Sequence, residues 1–238
     1  MPVSVVQPAR VRHLGHAAGL MAKTDRIDAA LLTRFGEVIQ PVRVTAPDPA
    51  AVALRQLLDA RRILVQALTD TGNRLEFATG HLRDVLLKMQ RSTARQLADV
   101  EKKTSGLLAN STPLQTKSNR LRQLKGVGPV LAGTLIAYLP ELGTISDKTA
   151  ASLAGLAPHP HDSGNRSGKR SIRAGRADVR KVLYRAAASA SRSNPVLKAF
   201  YDRLIAKGKF AKLALTAVMR KMLCVLNKLL ANLDFSLA

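Results

Sequence analysis

The chain has no tryptophan and only eight phenylalanine or tyrosine residues among 238. Proteins that hold single strands by stacking bases on aromatic platforms need more, so that mode of recognition is disfavoured. One cysteine, Cys224, excludes an intramolecular disulfide and suits a reducing compartment. It lies in an apolar helical run and reads as a small core residue. The longest apolar run, Val127 to Leu139, is shorter than a bilayer span, contains Pro129 and stops at Pro140. The first residues, MPVSVVQPARVRH, carry too few apolar side chains for a signal peptide, and no membrane partner is expected.

Acid is scarce as well. Sixteen Asp and Glu stand against 38 Lys and Arg, a formal charge of +22. Such an excess repels itself in a compact fold unless something anionic binds it, and nucleic acid is the first candidate. Residues 111–238 hold 22 cations and 6 acids, whereas residues 1–110 hold 16 and 10. The partner is therefore expected mainly against the C-terminal half, through backbone phosphates.

What is present is mostly helical pattern. Val3–Val6 reads as a short buried strand ended by Pro8, and a polar helix is expected over Ala9–Ala17. Thr24 then caps a helix with Ile27, Leu31 and Leu32 on its apolar stripe and Gly36 as its stop. Asp25 and Asp28, three apart, lie on one face of its first turn. There they complement the helix dipole or hold a metal, and spacing does not choose between the two. Pro41–Pro49 reads as a linker. Ala50 to about Leu108 reads as a helical hairpin or coiled coil, with Leu68, Leu75, Leu82 and Met89 seven apart. Gly72 and Gly80 predict a break or bend in it. Its role is to space two functional parts, to dimerise, or simply to pack on its own chain.

Leu114–Leu124 reads as a helix with a basic face, followed by a tight turn at Gly126-Val127-Gly128 and a second helix opened by Pro129. This is the pattern of a helix-hairpin-helix. Its glycines let backbone N–H groups approach a phosphate without reading sequence, although the same spacing also serves a plain turn. Ser146 caps the next helix. Helices over Ala177–Ser191, Pro195–Ile205 and Lys212–Leu233 complete the chain, with a turn at Lys207-Gly208-Lys209.

Between Gly155 and Arg185 lies the densest chemistry. Pro158, Pro160, Gly164, Gly168 and Gly175 forbid a continuous helix. Eight cations between Arg166 and Arg185 face one acid, Asp178. Guanidinium groups on a glycine-rich backbone suit a polyanion, since side chains and bare N–H groups both reach phosphate oxygens. Ser163, between Asp162 and Gly164, is either a turn residue or a nucleophile toward a phosphodiester. His159 and His161 flank Pro160 without the further ligands a zinc site needs.

KTDRIDA at Lys23–Ala29 and GVGPVLAGTL…AGLAPHPHDSGNRSGKRSIRAGRADVRKVLY at Gly126–Tyr184 resemble insertion-sequence family 110 transposases, relatives of the pilin-gene invertases. The resemblance implies a mainly α chain in three parts. These are a remnant of a RuvC-like α/β catalytic domain (1–46), a helical coiled-coil linker (47–110) and a helical C-terminal transposase domain (111–238). It implies DNA cleavage and rejoining through a serine nucleophile, matched here by Ser163. Asp25 and Asp28 match two of four acids that hold Mg²⁺. Gly126, Gly128, Arg166, Lys169, Arg170, Arg173, Arg176 and Arg180 are expected to bind nucleic acid. The partners implied are DNA, a structured guide RNA and further copies of the chain through the coiled coil, in the bacterial cytoplasm at the nucleoid. No acid precedes Asp25, so the resemblance also implies an N-terminally truncated member, weak or inactive alone, or a non-catalytic binder that modulates the full-length enzyme.

Overall fold

The structure is a computed structural model that describes residues 3–4, 6–20, 24–41, 48–159, 171–172 and 174–237. The chain forms two compact units, Met1–Asp48 and Pro49–Ala238. Ten helices and one two-stranded ladder are found among the described residues, which makes the protein mainly α.

The first unit packs helix α1 (Pro8–Ala17) on helix α2 (Asp25–Ile39). Leu31 and Phe35 of α2 are buried, and Leu31 presses on Gly15, where a Cβ would stand 2.9 Å from its Cδ2. Arg10 of α1 lies over the Phe35 ring at 5.8 Å. The expected buried strand at Val3–Val6 is not found among the described residues. Val3 makes only an isolated bridge and is 58% exposed, and Ser4 instead donates to the Pro41 carbonyl at 3.0 Å. A strand needs a ladder, and none is found at Val3, Ser4 or Val6; Val5 lies outside the described residues. Helix α2 also runs past Gly36, ending at Ile39 with Gln40 in the left-handed region. One glycine costs a helix about 1 kcal/mol and does not by itself stop it.

The second unit begins with helices α3 (Pro49–Leu75) and α4 (Gly80–Asn110), which fold back on each other as a hairpin. The break falls at residues 76–79, where Gly80 takes φ +54, while Gly72 stays inside α3. Leu54 and Leu58 near the start of α3 are buried against Gly133. Farther out the seven-residue repeat is half uncovered, with Leu82 58% and Met89 49% exposed.

Helices α5 (Thr112–Arg122), α6 (Pro129–Tyr138), α7 (Asp147–Leu153), α8 (Ala177–Ser193), α9 (Pro195–Ala206) and α10 (Ala211–Ala231) enclose the main core. Helix α6 has residues 131–136 all buried, so it is the central element. Val179, Leu183 and Ala187 of α8, which packs on α6, and Val218, Met222 and Leu226 of α10, which packs on α8, are fully buried. Asn227 is the polar tie inside this core. Its Nδ2 donates to the Ile145 carbonyl and to Asp147, both at 2.9 Å, and its Oδ1 accepts from Gly143 N at 2.8 Å. Arg120 of α5 fastens the same C-terminal end of α10, donating to the carbonyls of Leu229, Asn232, Leu233 and Phe235. The Leu229 carbonyl is one that a helix C-terminus leaves open, and the other three belong to the C-cap and the segment after it. Cys224 is half-buried on α10, and burial raises its thiol pKa. Among the described residues no helix is long and apolar enough to cross a membrane.

Candidate functional site

Ser163, Arg166, Lys169, Arg170 and Arg173 lie outside the described residues. What the structure defines is the pair of chain ends that carry residues 160–170. Helix α7 opens on Ser146, whose Oγ accepts from Thr149 N at 3.1 Å, and closes at Gly155 with φ +69. Strands β1 (Pro158–His159) and β2 (Ser171–Ile172) pair antiparallel, Pro158 opposite Ile172 and His159 opposite Ser171. The chain then reaches Gly175, again at φ +69, and starts α8.

Glycine is required at both bends because their backbones touch. A Cβ on Gly175 would fall on the backbone of Gly155, and one on Gly155 would meet the Ala174 carbonyl and the Arg180 guanidinium. Both also take a left-handed conformation that other residues reach only at a cost. Arg176 N donates to the Leu153 carbonyl at 2.7 Å, joining the two helix ends directly.

Two arginines complete this neck. Arg176 reaches Glu141 with both terminal nitrogens at 2.6 Å and the Tyr138 carbonyl at 2.9 Å. The guanidinium in turn holds the Glu141 carboxyl below its usual pKa. Arg180 donates to the Ala174 carbonyl at 2.6 Å. Counting cations along the loop makes all of them look available to phosphate. Arg176 is instead occupied from within the fold, a bidentate pair that the fork geometry of arginine favours. Glu141 was not among the expected site residues, and its distance of 35 residues in sequence from Arg176 left no local signal.

The two hairpin glycines have different surroundings. Gly126, at φ +108, lies against α8, where a Cβ would stand 2.6 Å from that of Ala190. Asn194 secures the same turn, donating to the Lys125 carbonyl at 3.0 Å while its Oδ1 accepts from Val196 and Leu197 N of α9. Gly128 caps α6, is exposed, and has open space where a Cβ would be.

Asp25 and Asp28 are both exposed in the first turn of α2, behind Thr24, whose Oγ1 accepts from Ile27 N at 3.3 Å. No cluster of three or more His, Cys, Asp or Glu that could hold a metal occurs among the described residues. Two carboxylates alone do not fit a resident Mg²⁺, which needs octahedral oxygen ligation.

Residues 118–202 match the profile of the Transposase IS116/IS110/IS902 family. Residues 1–85 match a second profile, that of the DEDD transposases of IS110 type. Over 227 residues the chain is 26% identical to the pilin gene-inverting protein of Moraxella lacunata and 27% identical to that of Moraxella bovis. Each alignment covers 94% of this chain and 70% of the relative.

Proposed function

The chain belongs to the IS110 family of transposases, and from that premise we propose that it cuts and rejoins DNA through Ser163 as nucleophile. The observation that supports this reading is the closed neck. Two facing glycines, the Arg176–Glu141 pair and the Leu153–Arg176 backbone bond hold together the ends of the segment that carries Ser163. A reactive hydroxyl gains from such anchoring, since misplacement by about 1 Å can cost a hundredfold in rate.

The serine oxygen attacks a backbone phosphorus, a bond forms between them, and the deoxyribose oxygen on the other side of that phosphorus leaves as a hydroxyl, the proton lost by the serine balancing the one it gains. Attack by the freed hydroxyl of a second strand on the phosphoserine reverses the chemistry and joins new ends. Arg166, Lys169, Arg170 and Arg173 neutralise the phosphate charge in this reading, Arg180 stands behind them, and Arg176 positions the loop. Gly128 and the start of α6 let another phosphate approach backbone N–H groups, while Gly126 shapes that turn. Asp25 and Asp28 would supply two of the carboxylates that a divalent metal needs, and no step here is assigned to such a metal. The partners are DNA and a structured guide RNA, at the bacterial nucleoid. Further copies pair through the outer part of the α3–α4 hairpin, where Ile63, Leu82 and Met89 are exposed.

One observation favours a second reading. The described residues bring no third carboxylate to Asp25 and Asp28, which suits a protein that binds nucleic acid and modulates an active copy without cutting. A covalent-trapping assay separates the two. Labelled element-end DNA is incubated with the wild type and with Ser163→Ala, with guide RNA and Mg²⁺. An adduct lost in the variant, with binding retained, supports the nucleophile. Binding without an adduct in either supports the modulator.

A further inference from the structure

The turn between α9 and α10 carries an unusual surface. Between Arg203 and Asn232 there are seven Lys or Arg and no Asp or Glu. Within that stretch Phe210 is 86% exposed, although a benzyl side chain is ordinarily placed in a core. It is flanked by Lys207, Lys209 and Lys212, all exposed and none ion-paired among the described residues.

The ring is held out by its backbone. Gly208 N donates to the Ile205 carbonyl at 2.8 Å and Lys209 N to the Leu204 carbonyl at 3.1 Å, with Gly208 at φ +73. Phe210 then caps α10, whose opposite face is fixed in the core by Val218, Met222 and Leu226. Lys212, Arg220 and Lys228 of α10 are exposed too, but positions eight apart advance by about 80° around a helix axis, so Arg220 and Lys228 turn away from the face of Lys212.

We propose that this turn forms a second nucleic-acid site, in which Phe210 stacks on an unpaired base and Lys207, Lys209 and Lys212 follow its strand. The inference rests on the nucleic-acid-binding part of the reading above, but uses none of the residues of the Ser163 segment. Cations without acids select a polyanion over a protein surface. A ring at a protruding tip needs a free base face, which a single-stranded segment offers and an intact duplex does not. An anionic lipid surface fits less well, because the apolar face of α10 is already buried and only Ile205, Phe210 and Leu213 remain for insertion. The scarcity of aromatics argues against a platform of several stacked bases; one ring is enough for one base.

The absence of tryptophan makes the test direct, since Phe210→Trp carries the sole indole of the full-length chain. Its emission is followed during titration with a twelve-nucleotide oligouridylate, a blunt DNA duplex and phosphatidylserine vesicles, while anisotropy of labelled nucleic acid reports total binding. Saturable quenching by the single strand, stronger than by the duplex, is expected. Phe210→Ala should weaken single-strand binding about tenfold. Lys207→Gln/Lys209→Gln/Lys212→Gln should make the salt slope shallower by about two. If anisotropy reports binding while the indole and the Phe210→Ala affinity stay unchanged, this site is wrong and the transposase reading stands. Absence of binding to any nucleic acid overturns both. Quenching by vesicles but not by the oligonucleotide overturns the site and assigns the turn to lipid.

Discussion

Arg176 and Glu141 meet through two hydrogen bonds of 2.6 Å each, and this pair ties the start of α8 to the turn that follows α6. Because both ends are partly exposed, at 34% and 38%, the pair is worth about 1 kcal/mol rather than the value of a buried one. Arginine lowers the folded-state pKa of Glu141 below 4.5, so its stabilisation is present above that pH and is lost as pH falls through the folded value. Glu141→Gln should therefore lower the urea midpoint at pH 7 and reduce its decline below about pH 4.5. An unchanged pH 7 midpoint would remove the pair from the neck.

Gly175 and Gly208 share a left-handed backbone, at φ +69 and φ +73, but not their surroundings. A Cβ at Gly208 meets nothing within 4 Å, whereas one at Gly175 falls on Gly155. Gly208→Ala should cost about 1 kcal/mol from conformation alone. Gly175→Ala should cost at least twice that, and should speed hydrogen exchange at the Arg176 amide bonded to Leu153. Equal losses of thermal stability would mean that the neck is not closed.

Asn227, only 4% exposed, serves one donor and two acceptors across the core. Asn227→Leu keeps the volume but strands those groups, and should cost about 2–4 kcal/mol by urea denaturation. Asn227→Asp should be nearly as costly, since a carboxylate cannot donate to the Ile145 carbonyl. A loss below about 1 kcal/mol would indicate that water replaces the side chain.

Local chemistry made much of this fold legible. Pro129 and Pro195 open helices, Ser146 and Thr24 cap them with their hydroxyls, and Gly126 and Gly208 mark turns. Each acts over a few residues. Gly36 failed as a stop, and of the two glycines that predicted a break only Gly80 lies beside it, because a single glycine such as Gly36 or Gly72 is carried by the helical turns on either side. At the site the obstacle was different. Guanidinium groups look alike in sequence, and what occupies Arg176 is Glu141 and the Tyr138 carbonyl, 35 and 38 residues away.

The most direct measurement is mass spectrometry of peptides from chain incubated with element-end DNA. If the neck presents a nucleophile, a nucleotide remnant will be found on the serine of the peptide spanning Pro158–Arg166, and it will vanish in Ser163→Ala. A remnant on any other residue, or one that persists in the alanine variant, would contradict that assignment.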